Sequence, residues 1–140
     1  MPYTPEGLPA DHHFKPEWEV TPRHASDALR AGKALVLDVR LETEWDFARV
    51  HGSHHIPLDE LEARADEIRD LAAAQPGPVL ALCHHGVRSL KAAAFLRHIG
   101  LTDAKSIAGG IEAWSVAIDA SVPRYERQGS SVWPARNAPK

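Results

Sequence analysis

Two short runs stand out along the chain: Ala-Leu-Val-Leu-Asp-Val at 34–39 and Pro-Val-Leu-Ala-Leu-Cys at 78–83. Both are apolar at successive positions with no helical period, the pattern of strands buried on both faces. The second is entered through a Pro76-Gly77-Pro78 turn. Ala104 to Ile107 is a third strand candidate, and a brief extended segment starts at Ser53 and is ended by Pro57. Helical patterns fall between these runs. One begins at Thr21, a good N-cap, with Pro22 at the first helical position, and closes at Gly32. A short helix is expected over 43–49. A longer one is expected over 58–75, with Leu58, Leu61, Ala65, Ile68, Leu71 and Ala72 on one face. Residues 88–100 predict a helix with Leu90, Ala93, Ala94 and Leu96 turned inward and Gly100 closing it. Gly109-Gly110 opens the last helix. Short strands alternating with helices predict an α/β domain on a mainly parallel sheet.

Length and composition agree with one soluble domain. The chain has 140 residues, enough for one ordinary domain and too few for two. Residues 1–17 are rich in Pro, Gly and His and read as an irregular arm. Residues 18–125 read as the folded domain and 126–140 as a tail, with Trp133 expected to dock on the body. A net charge of −3 gives no polyanion-binding surface, so nucleic acid is not an expected partner. The apolar runs are too short to span a bilayer, and the N-terminus lacks the basic and apolar regions of a signal peptide. One cysteine cannot form an internal disulfide, so the expected compartment is the reducing cytoplasm.

That cysteine, Cys83, carries the candidate chemistry. It ends a buried strand, and a helix is expected about four residues later. In open α/β sheets ligands bind at such strand ends, where free N–H groups and the helix dipole favour an anion. A cysteine there is expected to sit as the thiolate at neutral pH. Gly86 lets the loop turn so that successive N–H groups point inward, and Arg88 adds a planar, permanently charged fork. An inert core cysteine needs neither. Asp38, at the end of the first strand, is expected to hold a loop by hydrogen bonds, with Arg40 as its salt-bridge partner. The adjacent histidine pairs, 12/13, 54/55 and 84/85, lack metal-ligand spacing, so no metal is expected.

Four motifs in order resemble the rhodanese-like sulfurtransferases, most closely the single-domain ones: Asp38-Val39-Arg40 with Glu44-Trp45, then Gly52-Ser53 with Ile56-Pro57-Leu58, then Cys83 to Ser89, then Gly109-Gly110 with Ala113-Trp114. Glu42 stands where the family often has Pro, and Arg49 where it usually has His. The resemblance implies a rhodanese-like fold, a central mainly parallel sheet with helices on both faces. It also implies a thiosulfate sulfurtransferase-type activity through a Cys83 persulfide, with no metal or organic cofactor. Cys83 and Arg88 would be catalytic. His84, His85, Gly86, Val87 and Ser89 would bind substrate, and Asp38 and Arg40 would support the site. The two histidines are expected to face solvent or substrate, and two roles stay open: recruiting an anionic donor when protonated, or no role beyond that of permissive loop residues. The expected partners are a small sulfur donor, a thiol or cyanide acceptor and a thiol protein. Two other classes stay open: a phosphatase or arsenate reductase using the same cradle, and a non-catalytic binding module. Related phosphatases carry Cys–x5–Arg where this chain has Cys–x4–Arg, and inactive modules commonly lose the cysteine.

Overall fold

A computed structural model describes residues 2–136; the first residue of the arm and positions 137–140 of the tail lie outside the described residues. The central sheet has five strands: β1 (Glu19–Val20), β2 (Leu35–Asp38), β3 (His54–His55), β4 (Val79–Leu82) and β5 (Lys105–Ile107). Their order is β1-β5-β4-β2-β3 and every pairing is parallel. Five helices alternate with them: α1 (Pro22–Arg30), α2 (Glu42–Phe47), α3 (Ala65–Ala73), α4 (Val87–His98) and α5 (Gly110–Ala117). Thr21 caps α1 by accepting the His24 N–H at 3.1 Å.

The two long strands are buried on both faces because both faces carry helices. Along β2, Leu35 and Leu37 enter one core and Val36 the other; along β4, Val79 and Ala81 face one side and Leu80 and Leu82 the other. The period of two sorts these side chains between layers. One layer holds Ala25 of α1 with Ile111 and Trp114 of α5; the other holds Ile68 of α3 with Ala92 and Leu96 of α4. Cys83 continues the β4 alternation into the second layer, so its side chain lies under α4.

Three local expectations change. The inward face of α4 is Ser89, Ala92, Ala93 and Leu96, whereas Leu90 is half-buried and Ala94 exposed. Those four positions follow the i, i+3, i+4, i+7 stripe of a packed helix, and three small residues let it approach the sheet closely. The expected helix over 58–75 is broken into a 3-10 turn at Leu58–Glu60 and α3. The Leu58 N–H donates to the Val39 carbonyl at 3.1 Å, which pins the first turn to the end of β2 and out of line with α3. Residues 125–134, which reach into the tail, form an antiparallel hairpin of β6 (Tyr125–Gln128) and β7 (Ser131–Pro134). In β7 Val132 packs on the core, so its neighbour Trp133 points the other way and stays 39% exposed instead of docking.

Candidate active site

The site forms where β2 and β4 end. Gly86, at φ 103°, turns the chain back after Cys83, a backbone conformation an L side chain rarely adopts. Two N–H groups then point at the sulfur: Gly86 N lies 3.1 Å and Ser89 N 3.3 Å from Cys83 Sγ. The thiol donates to Ser89 Oγ at 3.3 Å, and Ser89 Oγ lies 2.7 Å from Ser106 Oγ of β5. α4 starts at Val87, so its positive end also faces the sulfur. Cys83 is 1% exposed and forms part of the wall of an open cavity of about 710 Å³.

The loop is held from behind by α5. Ile111 N–H donates to the Cys83 carbonyl at 2.8 Å and Glu112 N–H to the His84 carbonyl at 3.1 Å. A helix N-terminus is thereby satisfied by the nucleophile's own backbone. The approach is possible because Gly110 has no Cβ; one placed there would lie 2.5 Å from the Cys83 carbonyl oxygen and closer still to that of His84.

Arg88, expected to add its charged fork to the anion cradle, makes no hydrogen bond to the sulfur. Its terminal nitrogens donate to the two Glu44 carboxylate oxygens at 2.6 and 2.8 Å. Glu44 is fully buried, and a buried carboxylate must be paired. It also accepts from Tyr125 OH at 2.7 Å and from the Leu41 N–H at 2.9 Å, with Arg127 Nε 3.3 Å away. Burial alone would raise its pKa; the bonds from Arg88, Tyr125 and Leu41 outweigh that and hold it at about 2. Arg88 still lines the cavity with Cys83.

Arg40 and Asp38 pair as expected, fully buried at 2.6 Å. All five guanidinium N–H groups of Arg40 are used: towards both Asp38 oxygens, the Glu44 and Ala48 carbonyls and Tyr125 OH. The Glu44 and Ala48 carbonyls end α2, so Arg40 also fixes the helix that presents Glu44.

The two loop histidines part company. His84 does not face solvent: it is 6% exposed, stacks on Tyr125 with centroids 4.0 Å apart, and donates from Nε2 to the Tyr125 carbonyl at 3.2 Å. Burial, with His85 alongside, lowers its pKa to about 3, so it stays neutral at neutral pH and recruits no anion by charge. His85 is exposed in the cavity wall and tilts against His84 at 4.0 Å. Val87 stands at the rim, 67% exposed. Arg49, at the position where the family usually has His, lies over the Trp45 ring at 4.7 Å.

Sequence reasoning missed the central place of Glu44, which stood in a motif with no role attached. It also missed Tyr125 and Arg127, which lie beyond every motif and carried no local signal.

The family model for the rhodanese-like domain matches residues 21–117. The chain belongs to the rhodanese-like domain family. Among curated rhodanese-like relatives, the thiosulfate sulfurtransferase GlpE of Pseudomonas fluorescens is 36% identical over 103 residues, 74% of this chain and 89% of that protein. The adenylyltransferase and sulfurtransferase MOCS3-1 of maize is 38% identical over 93 residues, 65% of this chain, and the match spans 20% of that longer protein. The solved human single-domain sulfurtransferase TSTD1 superposes with a TM-score of 0.58 at 27% identity, over 69% of this chain and 93% of that one. The β6–β7 hairpin lies outside the matched residues and walls the cavity through Tyr125, Glu126 and Arg127.

Proposed function

We propose that this protein is a sulfurtransferase that carries a sulfane sulfur as a persulfide on Cys83. The observation that carries the reading is the Cys83 sulfur in the cavity wall, receiving the Gly86 and Ser89 N–H groups. The thiolate attacks the outer sulfur of a donor such as thiosulfate. The donor's S–S bond breaks, sulfite leaves with the electron pair, and the sulfur stays on Cys83 with its negative charge. A nucleophilic acceptor, cyanide or a thiol, attacks that outer sulfur and returns Cys83 to the thiolate. This is two-step covalent catalysis with the displacement geometry of thiol–disulfide exchange. The inward N–H groups favour the anion in both resting states. Arg88, Arg124 and Arg127 line the cavity together with Glu112 and Glu126, three cations against two carboxylates, a balance that favours an anionic donor, and the chemistry calls for no metal or organic cofactor. A thiol protein is a further candidate acceptor. No described helix is long and apolar enough to cross a membrane, and a lone free thiol suits a reducing cytoplasm.

The test is intact mass after thiosulfate alone. One added sulfur atom, mapped to Cys83 and removed by cyanide, is expected. Absence of any adduct with thiosulfate, mercaptopyruvate or a polysulfide refutes the reading. Comparing kcat/KM for thiosulfate and an aryl phosphate tests the phosphatase alternative; a better phosphate substrate makes it the first choice. In the shorter Cys–x4–Arg loop a phosphoryl group with three oxygens meets close-packed backbone.

A further inference from the structure

We infer that His85 is the general base that takes the proton from a thiol acceptor as it attacks the Cys83 persulfide; this rests on the sulfurtransferase reading. Three observations place it. His85 lines the cavity that holds Cys83 and is exposed there. Among the described residues neither of its ring nitrogens makes a hydrogen bond, whereas the neighbouring His84 is committed to the Tyr125 carbonyl. Its ring leans against a stacked pair: His85 tilts against His84, and His84 stacks on Tyr125, with 4.0 Å between centroids in each case. A ring nitrogen with no hydrogen-bond partner, in the wall of the cavity that also holds the nucleophile, is what a base needs and what a structural histidine lacks.

The surroundings keep that nitrogen available. Partial desolvation by the cavity wall lowers the His85 pKa, the guanidiniums of Arg127 and Arg88 lower it further, and the carboxylates of Glu112 and Glu44 act the other way. The net direction is down, so the imidazole is unprotonated at neutral pH. The cavity, about 710 Å³, lies within the range for organic ligands and accommodates an acceptor larger than cyanide.

The step balances. The acceptor RSH gives its proton to a His85 nitrogen. The electron pair on its sulfur forms a bond to the outer sulfur of the Cys83 persulfide. The bond between that sulfur and Cys83 breaks, and its electron pair returns to Cys83 as the thiolate, held by the Gly86 and Ser89 N–H groups. The product leaves as RSSH after recovering the proton from His85. No electrons are gained or lost overall.

A base matters only for an acceptor that arrives protonated. An alkyl thiol of pKa about 8.5 is only a few per cent thiolate at pH 7. An aryl thiol with a strongly electron-withdrawing ring is already ionised. The test loads the protein with sulfur, removes the donor, and measures the single-turnover rate of persulfide loss to each thiol at pH 7, in wild type and His85→Gln. The ratio of the alkyl to the aryl rate is expected to fall about tenfold in the variant, close to the limit set by that thiolate fraction. The variant's alkyl rate should then rise with pH in step with thiolate concentration. An unchanged ratio, with both rates kept or both lowered equally, overturns the role of His85. Wild-type protein that never acquires the sulfur overturns the sulfurtransferase reading itself and this inference with it.

Discussion

Replacing Gly110 with alanine should strain the active-site loop more than any open-surface glycine change. The added Cβ would lie 2.5 Å from the Cys83 carbonyl oxygen and nearer still to that of His84, where Cβ contacts under 3.0 Å are essentially never found. Backbone occupies both positions, so no side chain can swing away. The loop or α5 must move by about half an ångström or more. That movement weakens the Ile111 N–H to Cys83 carbonyl and Glu112 N–H to His84 carbonyl bonds, at 2.8 and 3.1 Å. Each contributes about 0.5–1.5 kcal/mol. The residue also sits at φ +63°, which costs a residue with a Cβ about 1–2 kcal/mol. Together the expected loss is about 2–5 kcal/mol, set against the roughly 5–15 kcal/mol by which domains are stable, so the variant's folded fraction is read from its own urea curve before its rate is compared. Gly32→Ala is the control: its φ is +69° and nothing lies within 4 Å, so the backbone strain is nearly the same and the clash is absent. Urea unfolding with unchanged slope gives the stability difference, and single-turnover persulfide formation gives the effect on chemistry. Displacing the nucleophile by about 1 Å costs on the order of a hundredfold in rate. Equal stability and equal rates for the two variants would refute the claim that α5 seats the loop.

Further outcomes follow from the same contacts. Cys83→Ser should abolish turnover while leaving the urea midpoint nearly unchanged, since oxygen forms no persulfide; turnover in a folded variant would move the chemistry elsewhere. Tyr125→Phe keeps the stack on His84 but removes the hydroxyl that bonds Glu44 at 2.7 Å and Arg40 at 3.1 Å, and should cost about 1.5–3 kcal/mol. A urea midpoint equal to wild type counts against it. Arg88→Ala should lower both stability and kcat/KM for thiosulfate, because it strips two charge-assisted bonds from buried Glu44 as well as a cation from the cavity. A loss confined to kcat/KM would mean that Glu44 is satisfied without it. In acid, His84 is neutral in the fold with a pKa of about 3 against an ordinary 6.5, so the unfolded chain takes up its proton first. Its contribution to stability is full above pH 6.5 and is lost as pH falls from there towards 3. Glu44, at about 2 against 4.5, adds a loss in the same direction below pH 4.5. His84→Gln should flatten the fall in urea midpoint between pH 6.5 and 4.5; identical slopes would contradict the assignment.

What the sequence revealed and what it hid divide by the range of the contacts involved. β2 and β4 were readable because burial on both faces demands apolar residues at every position, as in Leu35 to Leu37 and Val79 to Leu82. The loop after Cys83 was readable because its geometry is local: Gly86 turns the chain and the bonding N–H groups lie within six residues of the sulfur. The partner of Arg88 was not, since Glu44 is 44 positions away and any of several carboxylates could have filled the role. Tyr125 was hidden for the same reason, being 81 residues from Glu44 and 85 from Arg40. The α4 face was misjudged because Leu90 outweighed Ser89 on hydrophobicity, while proximity to Cys83 and Ser106 turns the smaller, polar residue inward.

Because the wall beside His84 is a short polar hairpin and not part of the sheet, competence and foldedness can come apart. β6 and β7 pair only with each other, and much of β6 and β7 is solvated. Such an element can open at a free energy well below that of the whole domain. When it lifts, Glu44 loses Tyr125 and Arg127 and His84 loses both its stack and its carbonyl partner, yet β1 to β5 keep every rung. Any molecule in which it has lifted is folded but idle, and the balance between the two states is set by the ten residues 125–134, with buried Tyr125 and the packing of Val132 as what holds the hairpin down.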